Sequence, residues 1–225
     1  MTDPVPPAGI PVRPRALIFD WDNTLVDTWP TIHEALTHTL TKMGHVPWSL
    51  EEAKERVRLS LRDSFPKLFG SRWEEARQIY LGAFTAIHLE RLVALPGIPE
   101  LLEGLGETDL YLAVVSNKTG PLLRREAEAL GWSRHFKRIV GAHDAAADKP
   151  DAAPVLMALG GGEIAAGPEV WLVGDTAVDM ECAINAGCIP VLLGSADPAG
   201  AEFAAHRPEL SFADPGALFL HVRTS

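Results

Sequence analysis

The stretch ALIFDWDNTLVD, residues 16–27, places two acidic residues where an apolar run ends. Its first four residues are apolar without alternation, which is typical of a strand covered on both faces. Asp20 and Asp22 follow, with only Trp21 between them. An acid after a strand often begins a turn, but two buried carboxylates this close repel each other unless a cation or a proton relieves them. The stretch therefore predicts a buried strand that ends at a charged site.

Four further apolar runs of strand length follow along the chain. They are LYLAVV (110–115), KRIV (137–140), EVWLV (169–173) and CIPVLL (188–193), and helical patterns occur at 119–130, 151–159, 176–186 and 213–221. Strands that alternate with helices predict a parallel sheet with right-handed crossovers. We expect a doubly wound, three-layer, Rossmann-like α/β core.

The interval between the first two strands is helical in character and too long for a simple crossover. Turn-forming residues mark its ends, at Trp29–Pro30 and near Pro96. The sequence therefore predicts a helical cap domain at 30–95, inserted into a core made of 15–29 and 96–225. Residues 1–14 contain five prolines and are expected to form a flexible arm.

The composition excludes several classes of partner. The chain has 225 residues, 47% of them hydrophobic, and a net charge of -10, with no run of five or six lysines or arginines. Such a chain can bury a sizeable core, but nucleic acid and membrane surfaces are not expected as partners. The two cysteines, Cys182 and Cys188, form no C-x-x-C motif, so reduced thiols in a cytoplasmic protein are expected.

Polar residues follow several of the expected strands. Ser116 and Asn117 come after LYLAVV, Asp175 comes after EVWLV, and Lys149 lies in the loop after KRIV. Ligands of an open parallel sheet bind beyond the carboxyl ends of its strands, so these residues and Asp20 should meet at one edge. Taken singly, Ser116–Asn117 could simply begin a turn and Lys149 could be a solvated lysine.

Asp179 has two possible roles. Its spacing from Thr176 matches a helix capping pair, which would only satisfy backbone donors. It could instead belong to the charged site, where Asp20 and Asp22 from one strand and Asp175 from a distant strand could surround a hard cation such as Mg²⁺, which prefers carboxylate oxygens. A lysine, a hydroxyl and the amides of a helix N-terminus would then define a pocket for a tetrahedral anion.

Four motifs occur in chain order. They are Asp20-Trp21-Asp22-Asn23-Thr24, Ser116-Asn117-Lys118, Lys149-Pro150, and Gly174-Asp175 with Asp179 four residues on. In this order the chain resembles the haloacid dehalogenase-like hydrolase superfamily, most closely its phosphoglycolate phosphatase-like branch with a helical (C1-type) cap. The resemblance covers about residues 15 to 195, and the cap matches only in position and helical character.

The resemblance implies a role for each motif residue. Asp20 is the nucleophile that forms an aspartyl-phosphate, and Asp22 is the general acid and then the base. Lys149 and Ser116 hold the phosphoryl group, together with backbone amides of Trp21, Asp22 and Asn117. Mg²⁺ is held by Asp20, Asp175 and the backbone carbonyl of Asp22, with Asp179 as a further ligand or support.

The implied function is a Mg²⁺-dependent phosphatase for a small phosphorylated metabolite, with phosphoglycolate as the favourite of the family. A phosphomutase of the β-phosphoglucomutase type would use the same aspartyl-phosphate and stays open. The dehalogenase and phosphonate-cleaving branches of the superfamily lack an acid at the position of Asp22, so the presence of Asp22 makes both activities unexpected. A receiver-like phospho-aspartate signalling module is a further alternative, but such modules are shorter and lack the helical insert.

The cap is expected to select the substrate. Arg58, Arg62 and Lys67 lie near a break at Pro66, and Arg62 is the best candidate to clamp a carboxylate or a second phosphate. The alternative is a solvated cationic helix face. The expected oligomeric state is a monomer or a homodimer.

Overall fold

The computed structural model describes residues 13–57, 59–160 and 164–224. The strands are β1 (Ala16–Phe19), β2 (Val26–Asp27), β3 (Val93–Ala94), β4 (Tyr111–Thr119), β5 (Arg138–Ala142), β6 (Val170–Gly174), β7 (Ile189–Leu193) and β8 (Leu210–Phe212). The helices are α1 (Trp29–Lys42), α2 (Leu50–Arg56), α3 (Leu61–Phe69), α4 (Trp73–Ile87), α5 (Ile98–Gly106), α6 (Gly120–Ala129), α7 (Ala153–Leu159), α8 (Ala177–Asn185) and α9 (Pro215–Thr224).

Six of the strands form one parallel sheet in the order β5-β4-β1-β6-β7-β8. Strand β1 lies in the middle, between β4 and β6, so the three strands that carry most of the motif residues are neighbours. The order reverses at β1, because β4 and β5 lie on one side and β6 to β8 on the other. The expected doubly wound α/β core is confirmed.

Both faces of the sheet are buried, which explains why the strand sequences do not alternate. Leu17 and Phe19 belong to the apolar cluster on one face, and Ala16 and Ile18 to the cluster on the other face. All four residues are fully buried. A central strand covered by helices on both sides can therefore be apolar throughout.

Helices α1 to α4 form a helical segment between β2 and β3, with an apolar cluster of its own. Leu36, Phe65, Tyr80 and Phe84 are buried in that cluster. The segment leaves and rejoins the core through an antiparallel ribbon in which Asp27 pairs with Val93 and Val26 with Ala94. The boundaries of a cap domain at 30–95 stay a prediction.

Several details differ from the sequence expectation. Strand β4 continues to Thr119, so Ser116 and Asn117 lie within it and not after it. Helix α5 and strand β8 are not among the expected elements. Most of the proline-rich arm and the positions Arg58, Gly161 and Gly162 lie outside the described residues. Among the helices of the described ranges, none has the length and hydropathy needed to cross a membrane.

Candidate active site

A cavity of about 130 Å³ lies where β1, β4 and β6 end, beneath the helical segment. Strand ends supply its polar lining, and helices α1, α3 and α4 supply apolar side chains. The candidate residues that line it are Asp20, Asp22, Ser116, Asn117, Lys149, Asp175 and Asp179. Of the candidates on described residues, Trp21, Arg62 and Lys67 do not line it.

Lys149 joins two of the buried acids. Its Nζ lies 2.6 Å from an oxygen of Asp20 and 2.6 Å from an oxygen of Asp179. All three side chains are buried. Burial alone would lower the pKa of Lys149, but the carboxylates of Asp179 and Asp20 raise it above its usual value. Lys149 is therefore a fixed cation beside Asp20, and not a solvated lysine.

Asp20, Asp175 and Asp179 form a compact acidic group. One oxygen from each lies within 4.8 Å of the others, close enough to hold a metal ion together. Burial, with the charges of Asp179 and Asp22, raises the pKa of Asp20 to about 6 against the opposing effect of Lys149. Burial and the charges of Asp179 and Asp20 also raise the pKa of Asp175 well above its usual value. When all three carboxylates are ionised, they and the Lys149 ammonium leave two negative charges, which suits a divalent cation with a preference for oxygen ligands.

Hydrogen bonds within the loop after β1 and from it to the end of β6 fix its position. Asn23 has a φ of 63° and its backbone N–H donates to the carbonyl of Val26. An asparagine tolerates this left-handed conformation better than most residues. Thr24 donates its hydroxyl to Asp175 at 2.9 Å and so ties the loop to the end of β6. These bonds hold Asp20 and Asp22 at the cavity.

Asn117 positions Lys149 through its side chain. Its amide nitrogen donates to the backbone carbonyl of Lys149 at 3.1 Å, and its amide oxygen accepts from the backbone N–H of Lys149 at 2.9 Å. The pair of bonds fixes the lysine loop against β4. From the sequence, only the backbone amide of Asn117 was expected to have a role. The role of its side chain was missed because Lys149, its partner, lies 32 residues away in the sequence.

Asp179 caps helix α8 and also contacts Lys149. One oxygen accepts from the backbone N–H and hydroxyl of Thr176, at 3.0 and 2.7 Å, at the start of α8. The other oxygen accepts from Lys149. Gly174 makes this possible, because a Cβ there would lie 2.3 Å from the Cγ of Asp179. Capping therefore orients the carboxylate toward the cavity; its role as a metal ligand stays a prediction.

Two candidates point elsewhere. The ring of Trp21 is buried in the core and donates to Glu126 at 2.7 Å, so only its backbone amide can serve the cavity. Arg62 lies 2.7 Å from Asp148, a buried residue of the core next to Lys149. Lys67 is exposed and does not line the cavity. The assignments of Trp21 and Arg62 as substrate ligands stay predictions.

Asp22 has a partner that sequence reasoning missed. The Nζ of Lys118 lies 2.6 Å from Asp22 and 2.5 Å from Glu126, and Glu126 also contacts His88 at 2.8 Å. The sequence did contain one indication of this cluster. Glu126 follows Leu123 by three residues and so lies on the buried face of α6, where a carboxylate needs a charged or hydrogen-bonding partner. Its partner could not be named without the fold.

The chain is similar to proteins of one known family. The family model of haloacid dehalogenase-like hydrolases matches residues 17–192. A phosphoglycolate phosphatase of Aquifex aeolicus is 33% identical over 179 residues, which are 77% of this chain and 81% of that protein.

One solved structure supports the same family. A haloacid dehalogenase superfamily hydrolase of Ehrlichia chaffeensis is 31% identical with a TM-score of 0.64, covering 94% of this chain and 97% of that one. For the fold alone, a haloacid dehalogenase-like hydrolase of Streptococcus pneumoniae has a TM-score of 0.81 at 24% identity, covering 93% and 98%. On these matches, the chain belongs to the haloacid dehalogenase-like hydrolases and is a phosphatase of that family.

Proposed function

We propose that the protein is a Mg²⁺-dependent phosphatase that hydrolyses a small phosphomonoester through an aspartyl-phosphate on Asp20. One observation carries the proposal. The Asp20 carboxylate lies at the cavity with the Lys149 ammonium 2.6 Å from one oxygen and with Asp175 and Asp179 close enough to share a cation. A nucleophile, a fixed positive charge and a cation site thus meet at one place.

In the first half-reaction, a carboxylate oxygen of Asp20 bonds to phosphorus and the bond from phosphorus to the leaving oxygen breaks. Asp22, which also lines the cavity, gives its proton to that leaving oxygen. In the second half-reaction, Asp22 takes a proton from a water that attacks phosphorus. Phosphate leaves, and Asp20 regains its carboxylate.

Charge stabilisation must supply much of the acceleration. Enzymes accelerate phosphomonoester hydrolysis by up to about 10²¹-fold, whereas general acid–base catalysis supplies typically 10²- to 10⁴-fold. Lys149 and Ser116, both lining the cavity, are proposed to hold the phosphoryl oxygens, and α6 begins nearby at Gly120. Fixed charges and oriented amides in a buried site stabilise the developing charge without reorganisation.

Mg²⁺ is the proposed cofactor because the available ligands are hard oxygen atoms. Asp20 and Asp175, with the backbone carbonyl of Asp22 and with Asp179 as ligand or support, would hold it. Its chemistry there is to neutralise phosphoryl oxygens during transfer.

The relatives' name supports a small substrate of the phosphoglycolate type. We propose the helical residues 30–95 as a cap domain, since Trp29 at its border and Ile32, Leu81 and Phe84 within it line the cavity. A cytoplasmic location would fit the two free thiols, Cys182 and Cys188.

The test is hydrolysis of 4-nitrophenyl phosphate by the purified protein, with Mg²⁺ and with EDTA. We expect activity only with Mg²⁺ and none in Asp20→Asn, because the amide is a poor nucleophile. The matched control is Asp27→Asn, which changes an exposed carboxylate of β2 and should keep full activity. Full activity in EDTA or in Asp20→Asn would refute the mechanism.

Products separate the phosphatase from its alternatives. Incubation with phosphoglycolate and with sugar phosphates should release inorganic phosphate. Recovery of an isomerised sugar phosphate would favour the phosphomutase, and a long-lived phosphoprotein without turnover would favour the signalling module.

A further inference from the structure

Lys118 is a buried cation that the proposed mechanism does not use. Its side chain is only 5% exposed, and its Nζ lies 2.6 Å from Oδ1 of Asp22 and 2.5 Å from Oε2 of Glu126. The same nitrogen lies 5.1 Å from the centre of the Phe84 ring, which covers it from the helical segment. Burying a lysine is costly unless it is paired and hydrogen-bonded, so this position is held by specific partners.

Glu126 is anchored in turn. Oε2 of Glu126 also accepts from Nε1 of Trp21 at 2.7 Å, and Oε1 lies 2.8 Å from Nδ1 of His88. A carboxylate only accepts hydrogen bonds, so Nδ1 of His88 carries a proton toward it. Glu126 therefore has three donors from three separate parts of the chain, which leaves little freedom for its side chain or for that of Lys118.

The two lysines of the cavity serve different acids. Lys149 contacts Asp20, the proposed nucleophile, and Lys118 contacts Asp22, the proposed acid and base. Burial alone would lower the pKa of Lys118, but the carboxylates of Asp22 and Glu126 raise it. The Asp22 side chain is 20% exposed and lines the cavity, and its Oδ1 forms an ion pair with Lys118.

We propose that Lys118, anchored by Glu126, is a positioning residue that orients the carboxyl group of Asp22 toward the leaving oxygen. The inference rests on the proposed function, since it assumes that Asp22 protonates the leaving group. General acid catalysis requires the acid within hydrogen-bond reach of the oxygen it protonates. A carboxyl group free to rotate would spend much of its time out of that reach, and small misplacements can cost about 10²-fold in rate.

The test compares two phosphate esters that differ in their need for the acid. An alkyl phosphate has a basic leaving oxygen that requires protonation, whereas 4-nitrophenyl phosphate has a good leaving group that does not. The readout is kcat/KM, which covers the steps up to loss of the leaving group. We expect Lys118→Met to lower kcat/KM for the alkyl ester by about 10- to 100-fold. For the aryl ester the change should stay within about threefold, the same pattern as Asp22→Asn.

Two further variants make the comparison decisive. Lys137→Met removes an exposed lysine outside the cavity and should leave both substrates unaffected. Glu126→Gln keeps the shape of the anchor, removes its charge, and should give a smaller loss that is again selective for the alkyl ester. If Lys118→Met lacks a cooperative thermal transition, Glu126→Gln provides the comparison alone.

Equal losses on both esters would overturn the proposal, because a lysine that bound the phosphoryl group directly would affect both. Unchanged kcat/KM on both would also overturn it. These outcomes leave the proposed function intact if the wild-type protein hydrolyses both esters and Asp20→Asn hydrolyses neither. A wild-type protein inactive on both would instead refute the proposed function.

Discussion

The guanidinium of Arg62 lies 2.7 Å from Oδ1 of Asp148, joining helix α3 to the loop that carries Lys149. Asp148 also accepts from the backbone N–H of His143 at 3.0 Å, and its side chain is only 1% exposed. Removing Arg62 would leave a buried carboxylate without its charged partner. This contact therefore links the helical segment to the core next to the active site.

We expect Arg62→Met to destabilise the fold by about 2 kcal/mol, less than a fully buried pair because the Arg62 side chain is 33% exposed. Urea denaturation measures the free energy of unfolding. The double variant Arg62→Met with Asp148→Asn should recover most of the loss. Arg72→Met, which breaks an exposed pair with Glu75, is the matched control and should leave the free energy of unfolding almost unchanged.

Kinetics separate this contact from a substrate clamp. If Arg62 bound a substrate carboxylate, Arg62→Met would raise KM for phosphoglycolate and spare an aryl phosphate. The contact with Asp148 instead predicts similar effects on both substrates.

Mg²⁺ should stabilise the protein more at pH 7 than at pH 5. In the metal-free protein the pKa of Asp20 is about 6, above its usual value of 3.8, mainly because of burial. Between pH 3.8 and about pH 6, Asp20 is protonated in the folded chain and ionised in the unfolded chain. The contribution of Asp20 to the free energy of unfolding therefore falls as pH rises through this range, by about 3 kcal/mol in total. Below pH 6 that proton competes with the cation.

Thermal unfolding with and without Mg²⁺ at several pH values measures this effect. The gain in Tm from Mg²⁺ should grow between pH 5 and pH 7 in the wild-type protein and should be small throughout in Asp20→Asn. An equal gain at pH 5 and pH 7 in the wild-type protein would show that Asp20 does not bind the cation.

Gly174→Ala should weaken the site. The added Cβ would lie within 2.5 Å of three atoms of Asp179, so the Asp179 side chain must leave the position in which it contacts Lys149. Overpacking of this kind costs about 1–3 kcal/mol, and a displaced supporting group typically lowers metal affinity 10- to 100-fold. The Mg²⁺ concentration for half-maximal activity is the measurement. Gly167→Ala, whose added Cβ has no atom within 4 Å, should leave that concentration unchanged.

The thiols should resist modification in the native protein. Burial raises the pKa of Cys182 to about 12 and also raises that of Cys188. Because the thiolate is the reactive form, DTNB at pH 8 should label neither residue at an appreciable rate. Both thiols should react at once in denaturant. Rapid labelling of the folded protein would show that the packing around them opens readily.

The strands and the motif positions could be predicted because both depend on residues close in sequence. Apolar runs mark β1, β6 and β7, and parallel strands place their ends at one edge. The extension of β4 was missed because Ser116 to Thr119 are polar, and this stretch does not follow the apolar pattern. Strand β8 has only three residues, too few to give a clear pattern.

Partners distant in sequence could not be predicted. Arg62 can pair with any nearby acidic residue, and its partner Asp148 lies 86 residues further along the chain. Lys118 stands within a motif, yet its contacts with Asp22 and Glu126 exist only once β1, β4 and α6 have packed together. Such pairs depend on tertiary packing, which local patterns do not encode.

The ribbon of β2 and β3 has a consequence for how this fold can change over evolution. Because Asp27 pairs with Val93, the chain departs from the core and returns at adjacent points. The distance between Asp27 and Val93 would stay the same if the helices between them were lengthened, shortened or replaced. A longer insertion between these two points adds little to the entropy cost of loop closure. Related proteins could therefore gain a different helical segment, and with it a new substrate, while they keep the catalytic residues of the core.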